Sequence, residues 1–118
     1  MTATDLATKK CVPCEGGVPK LNPEKVRELL QQVPGWQVTT DGRRIRRNWR
    51  VADFQTALDF FNRVGKLAED EGHHPDLHLT GYRDVSIELW THAASGLTEN
   101  DFILAAKIND LEQPRLKA

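Results

Sequence analysis

The chain has little net charge, few cysteines and no long apolar run. Acidic and basic side chains nearly cancel, 17 against 16, leaving a formal net charge of −1 at pH 7. That balance offers no bulk attraction to nucleic acid or to a membrane surface. No apolar stretch approaches the ~18 residues that cross a bilayer. The opening M-T-A-T-D-L-A-T-K-K lacks the apolar core of a secretory signal. A cytoplasmic protein is therefore expected. Internal repeats and low-complexity tracts are absent as well. The two cysteines fall together in Cys11-Val12-Pro13-Cys14. A structural zinc site normally takes about four ligands, and no second cysteine pair exists to complete one. A redox pair usually opens a helix, whereas Pro13, Gly16 and Gly17 argue against one here. The pair reads first as part of a structural or surface segment, ahead of metal or redox duty.

A chain of 118 residues suits one domain, since domains commonly run to roughly 100–150 residues. Residues 1–21 read as an irregular segment and 22–118 as a single domain. Asn22-Pro23 opens a first helix, an N-cap followed by a proline that the first helical position tolerates. Val26, Leu29, Leu30 and Val33 share one face, and Pro34-Gly35 stops it. Trp36, Val38 and Thr40 alternate as a strand, and Asp41-Gly42 predicts a type I′ hairpin turn. On the return strand Ile45, Arg47, Trp49 and Val51 alternate with Arg44, Arg46, Asn48 and Arg50. This basic run is expected to be a solvated sheet face or a partner's docking face rather than a nucleic-acid site.

Asp53 caps the longest helix, which runs to about Gly72. Phe54, Ala57, Leu58, Phe61, Val64 and Ala68 form its expected stripe, with Phe60 and Leu67 off centre. A short strand around Leu77–Thr80 and a second over Val85–Thr91 follow, joined by a turn at Gly81. Thr98 caps the last helix, with Asp101 at N3 of a capping box and Leu97 and Phe102 as a hydrophobic staple. This helix is apolar on more than one side, so its second face is expected to meet a partner copy. The order α-β-β-α-β-β-α predicts an α+β fold: a four-stranded antiparallel sheet with three helices on one face.

All four histidines, His73, His74, His78 and His92, lie in one stretch of this chain. Histidine exchanges protons near neutral pH, with an unperturbed pKa of about 6.5. Pro75 disfavours helix at the residue before it, so His73 and His74 fall at the end of the long helix. Glu69 precedes His73 by one helical turn and is a candidate partner for its ring. His92 is expected to end the last strand. If that strand lies along the helix, the imidazoles gather at one rim of the sheet. Spacing alone leaves the bland readings open: a capping pair and a solvated strand end.

The residues together resemble a known family. Glu69-x-x-x-His73-His74-Pro75, Tyr82-Arg83-x-Val85-x-Ile87-x-Leu89-x-Thr91-His92 and Gly96-Leu97-Thr98-x-x-Asp101 resemble the signature of the pterin-4a-carbinolamine dehydratases. Gly35-Trp36, Ile45 and Asp53-Phe54 also fit, and the resemblance spans roughly residues 22–112. It implies a homodimeric or homotetrameric lyase with neither metal nor bound cofactor. The implied reaction dehydrates a 4a-hydroxytetrahydropterin to quinonoid dihydropterin, in the recycling of tetrahydrobiopterin after an aromatic amino acid hydroxylase. It maps three active-site histidines onto His73, His74 and His92. Glu69, Pro75, Thr91, Trp36 and Asp101 then become substrate-binding or supporting residues. The sequence departs from the family pattern at Gly72, at Leu77, at Trp90 and by one extra residue between Pro75 and Tyr82. Animal members also serve as a dimerisation cofactor of a transcription factor, so a non-catalytic interaction scaffold is the competing reading. The complete histidine set favours the enzyme.

Overall fold

The computed structural model of the chain describes residues 6–12 and 19–117. Among these, α1 (Pro23–Leu30) leads into β1 (Gln37–Val38) and β2 (Ile45–Arg50), and α2 (Phe54–Glu71) follows. Then come β3 (Asp76–Thr80), β4 (Asp84–Leu89), a 3-10 turn (His92–Ala94) and α3 (Glu99–Asp110). The strands form one antiparallel sheet in the order β1-β2-β4-β3. The expected order of elements is therefore the observed one.

Local chemistry explains the boundaries. Asn22 Oδ1 accepts the Lys25 N–H at the start of α1, and Asp53 accepts the Thr56 N–H at the start of α2. Gly72 ends α2 at φ +66°, a left-handed cap that a side chain would strain. Three local expectations need correcting. β1 is only two residues long. The turn after it is not type I′, because Gly42 has positive φ but Asp41 does not. Asp41 instead accepts the Thr39 hydroxyl and the Arg43 N–H, closing a wider loop. The stripe of α2 is centred on Phe60, fully buried with Ala57 and Val64, while Phe54 is 50% exposed.

The inward face of the sheet carries Ile45, Trp49, Val85, Ile87 and Leu89 onto the helices. Trp49 packs edge-on to Trp36 and to Phe60, with ring centroids 6.2 and 5.0 Å away. Arg47, on the same face, lays its guanidinium over Trp49 and donates to Asn109. The basic run is thus split: Arg46 and Arg50 face outward, while Arg47 is absorbed by the core edge.

Helix α3 is buried nearly all round, from Asn100 through Ala106 and again at Ile108. The face expected to await a partner copy is covered by this chain's own N-terminal segment. Leu6 is 2% exposed within the core. Lys107 donates to the Ala7 carbonyl, and the Asn100 side chain pairs with both the N–H and the C=O of Val12. The Cys11 N–H donates to Glu71 at the end of α2. The segment therefore straps the end of α2 to the beginning of α3. Burial works against a charged Glu71, but the Cys11 N–H, Lys107 and Lys10 outweigh it and hold its carboxyl below the ordinary range. A carboxyl depressed in the folded state stabilises above its unfolded pKa and loses that contribution as pH falls through its folded value. Wild type is accordingly expected to lose more thermal stability than Glu71→Gln between about pH 6 and about pH 3. Equal losses in the two proteins would remove Glu71 from that role.

Candidate active site

Each expected site residue owes its place to an element end. Gly72 turns the chain out of α2, and the His73 N–H returns to the Ala68 carbonyl at 3.3 Å. The ring of His73, 6% exposed, is thereby buried against the start of α3. There its Nε2 lies 2.7 Å from Asp101 Oδ1. The next residue, His74, points to solvent, and Pro75 directs the chain into β3. Glu69 does not hold His73 as its one-turn spacing suggested. Its carboxylate stands 3.7 Å from Nε2 of His74, both side chains being largely exposed. The bond His73 was expected to make within its own helix is made across the fold.

Asp101 is the hub. It is fully buried, and its Oδ2 accepts the Thr91 hydroxyl at 2.8 Å and the Thr98 N–H at 2.9 Å. Because Thr91 gives its proton to the carboxylate, the 2.7 Å contact between the two threonine hydroxyls has Thr98 as donor. The capping box foreseen at Thr98 and Asp101 is present. What sequence did not reveal is that the same carboxylate also joins the end of α2 to the end of the sheet. Thr98, for the same reason, belongs to the site.

His92 differs from its expected place. β4 ends at Leu89, and Thr91 pairs with Gly96 around the 3-10 turn that His92 opens. A Cβ at Gly96 would lie 2.8 Å from Cε of Lys20, so a larger residue there would displace the end of that flexible side chain. The exposed His92 ring stands edge-on to Trp90, centroids 4.9 Å apart. Its neighbour Thr91, through the hydroxyl, and its counterpart His73, through the ring, both bond Asp101, which ties the two chain segments to one point. His78, by contrast, sits exposed on edge strand β3 opposite Ser86.

Trp36 is not brought to this cluster. It is buried at the far end of α3, where its Nε1–H donates to Asn109 at 2.9 Å. Eight residues of helix from Asp101 amount to about 12 Å of rise. Cys11 is half-buried, with its thiol pushed up to about 12 by burial first and by the nearby Glu71 carboxylate. So protonated a thiol is a poor nucleophile and a poor ligand; Cys14 lies outside the described residues. Among the described residues no group of three or more His, Cys, Asp or Glu is placed to hold a metal.

Comparison with known proteins decides the family. The model of the pterin 4 alpha carbinolamine dehydratase family matches residues 19–111. The chain belongs to that family, a family of lyases. It is 55% identical over 92% of its length to the mitochondrial pterin-4-alpha-carbinolamine dehydratase 2 of Arabidopsis thaliana, spanning 59% of that longer protein. It is 49% identical over 92% of its length to a putative pterin-4-alpha-carbinolamine dehydratase of Rubrobacter xylanophilus, of which it covers 99%. A crystal structure of a transcriptional coactivator/pterin dehydratase from Brucella melitensis superposes with a TM-score of 0.71 at 33% identity. That match covers 76% of this chain and 95% of the other. No helix among the described residues is long and apolar enough to cross a membrane.

Proposed function

We propose that this chain dehydrates a 4a-hydroxytetrahydropterin to quinonoid dihydropterin and water by histidine general acid/base catalysis. The supporting observation is the buried Asp101 carboxylate, which fixes His73 on one oxygen and, through Thr91, the approach to His92 on the other. Loss of water from the carbinolamine needs a proton on the departing 4a-hydroxyl and removal of one from N5. An acceptor at Nε2 of His73 holds the neutral ring in the Nε2–H tautomer, which puts the lone pair on Nδ1. His73 is assigned the N5 proton and His92 the leaving hydroxyl, while the exposed His74, beside Glu69, binds and orients the pterin. Each transfer is worth about 10²–10⁴-fold. Pro75 and Thr91 shape the site by holding the backbone on either side of it. Trp36 takes part only indirectly, by seating the far end of α3.

The reading places the protein in tetrahydrobiopterin recycling, downstream of an aromatic amino acid hydroxylase, in the cytoplasm and without metal or cofactor. A homodimer or homotetramer is part of it. With α3 covered, the support for assembly moves to α2, whose Phe54 is half exposed with Leu58 and Phe61 partly so along the same face. The test is to generate the carbinolamine with a phenylalanine hydroxylase and follow its decay by ultraviolet absorbance. Acceleration by the folded protein is expected. Decay at the spontaneous rate would overturn the reading and favour the interaction scaffold, the role that the transcriptional coactivator/pterin dehydratase of Brucella melitensis suggests.

A further inference from the structure

We infer that Trp90 is a positioning residue for His92 and that Arg44 holds Trp90 in place. The inference rests on the dehydratase reading, because it gives His92 a task that needs a fixed ring. An imidazole at the mouth of an exposed turn has several rotamers open to it, and each must be lost before it can meet a substrate. Here the indole of Trp90 meets the His92 ring at an interplanar angle of 82° with centroids 4.9 Å apart, an edge-to-face contact that selects one orientation.

The indole is itself secured. β2 and β4 pair with Ile45 opposite Leu89, so continuing the register by one residue sets Arg44 opposite Trp90. The Arg44 guanidinium lies 4.6 Å from the centre of the Trp90 ring. The guanidinium cannot wander, because Nη1 donates to Asp76 Oδ2 and to Glu88 Oε1, each at 3.0 Å. Glu88 is a 6% exposed carboxylate on the outward side of the sheet, also bound by Nε of Arg46 at 2.8 Å. Arg44 and Arg46 therefore converge on one buried charge, and Asp76 of β3 holds Arg44 from the other side. Held by two carboxylates, the Arg44 guanidinium is fixed in place, and the ring it rests on is Trp90. The order Glu88, Arg44, Trp90, His92 carries rigidity from the sheet to the exposed ring.

The test uses the full chain and two readouts. Ring-proton chemical shifts of His92 report its contact with the indole, and the separation of kcat from KM reports what the contact does. Trp90→Ala is expected to return the His92 ring shifts toward those of an unstructured peptide and to lower kcat about tenfold with KM within about twofold, as misplacement of a reacting group does. Trp90→Phe, which keeps an aromatic face, is expected to restore both. Arg44→Gln, which leaves Glu88 paired with Arg46, is expected to shift the His92 signals in the same sense by a smaller amount. A folded Trp90→Ala protein with unchanged His92 shifts, or with moved shifts and unaltered kcat, would overturn the inference. A wild-type protein that shows the ring contact but no dehydration would instead overturn the dehydratase reading.

Discussion

Asp101→Asn is expected to lower turnover about 10²–10⁴-fold while costing only about 1–2 kcal/mol of stability. The carboxylate accepts on both oxygens, from His73 at Oδ1 and from Thr91 and Thr98 at Oδ2. An amide of the same shape accepts on one side only. The side with two donors, one of them a backbone N–H, claims the carbonyl. The NH2 group then faces Nε2 of His73, which can meet it only as an acceptor, so the ring's proton moves to Nδ1. The side chain stays packed and bonded, but the imidazole presents an N–H where a lone pair is needed. The same substitution in the Ser-His-Asp triad acts through the tautomer in this way. Alanine at this position is a different experiment: it strands three buried donors at roughly 1–3 kcal/mol each, a large part of the ~5–15 kcal/mol that keeps a domain folded. Thermal unfolding beside steady-state kinetics separates the two outcomes. Full turnover in a folded Asp101→Asn protein would take Asp101 out of the chemistry and leave it a helix cap.

The elements that set up this hub were legible in the sequence to different depths. Both ends of α2 could be read because their signals are local: Asp53 accepts from Thr56, and Gly72 lies three residues before Pro75. The capping role of Asp101 was legible for the same reason. Its bond to His73 was not, since the partners are 28 residues apart and nothing in helical spacing points from one to the other. Spacing pointed instead to Glu69, whose side chain is out in solvent. In the stripe expected on α2, Ala57, Val64 and Ala68 are buried, but Phe60 rather than Phe54 completes it; Phe54, Leu58 and Phe61 satisfy the helical period equally well, and only the sheet beneath decides which residues are covered. The second apolar face of α3 was expected to meet a partner copy, and it is this chain's own N-terminal segment that lies on it. Periodicity cannot say whether that cover comes from a second copy or from an irregular segment some 90 residues earlier, such as Val12 against Asn100, 88 positions apart. The outward carboxylate Glu88 and its arginines were equally hidden, because alternation marks them only as the solvent side of a strand.

The three histidines should separate kinetically, because the fold treats them differently. His92→Ala is expected to lower kcat about 10²–10⁴-fold with little change in thermal stability. Its ring is exposed and makes no side-chain hydrogen bond among the described residues, so truncation leaves no buried donor behind. His74→Ala is expected to act mainly on KM. Its side chain is 61% exposed, and its neighbour Glu69 is more exposed still, so the pair contributes little to stability. A ring that binds the pterin equally in ground and transition states changes KM and leaves kcat nearly intact. His73→Ala differs from both: it empties a 6% exposed site and strands a buried carboxylate oxygen, so a loss of stability should accompany the loss of turnover. Measuring kcat, KM and the unfolding temperature for the three variants side by side checks the assignment. A His74→Ala protein that loses kcat as steeply as His92→Ala, with KM unchanged, would transfer the proton-transfer role from the buried ring to the exposed one and leave His73 and Asp101 as the frame that holds it.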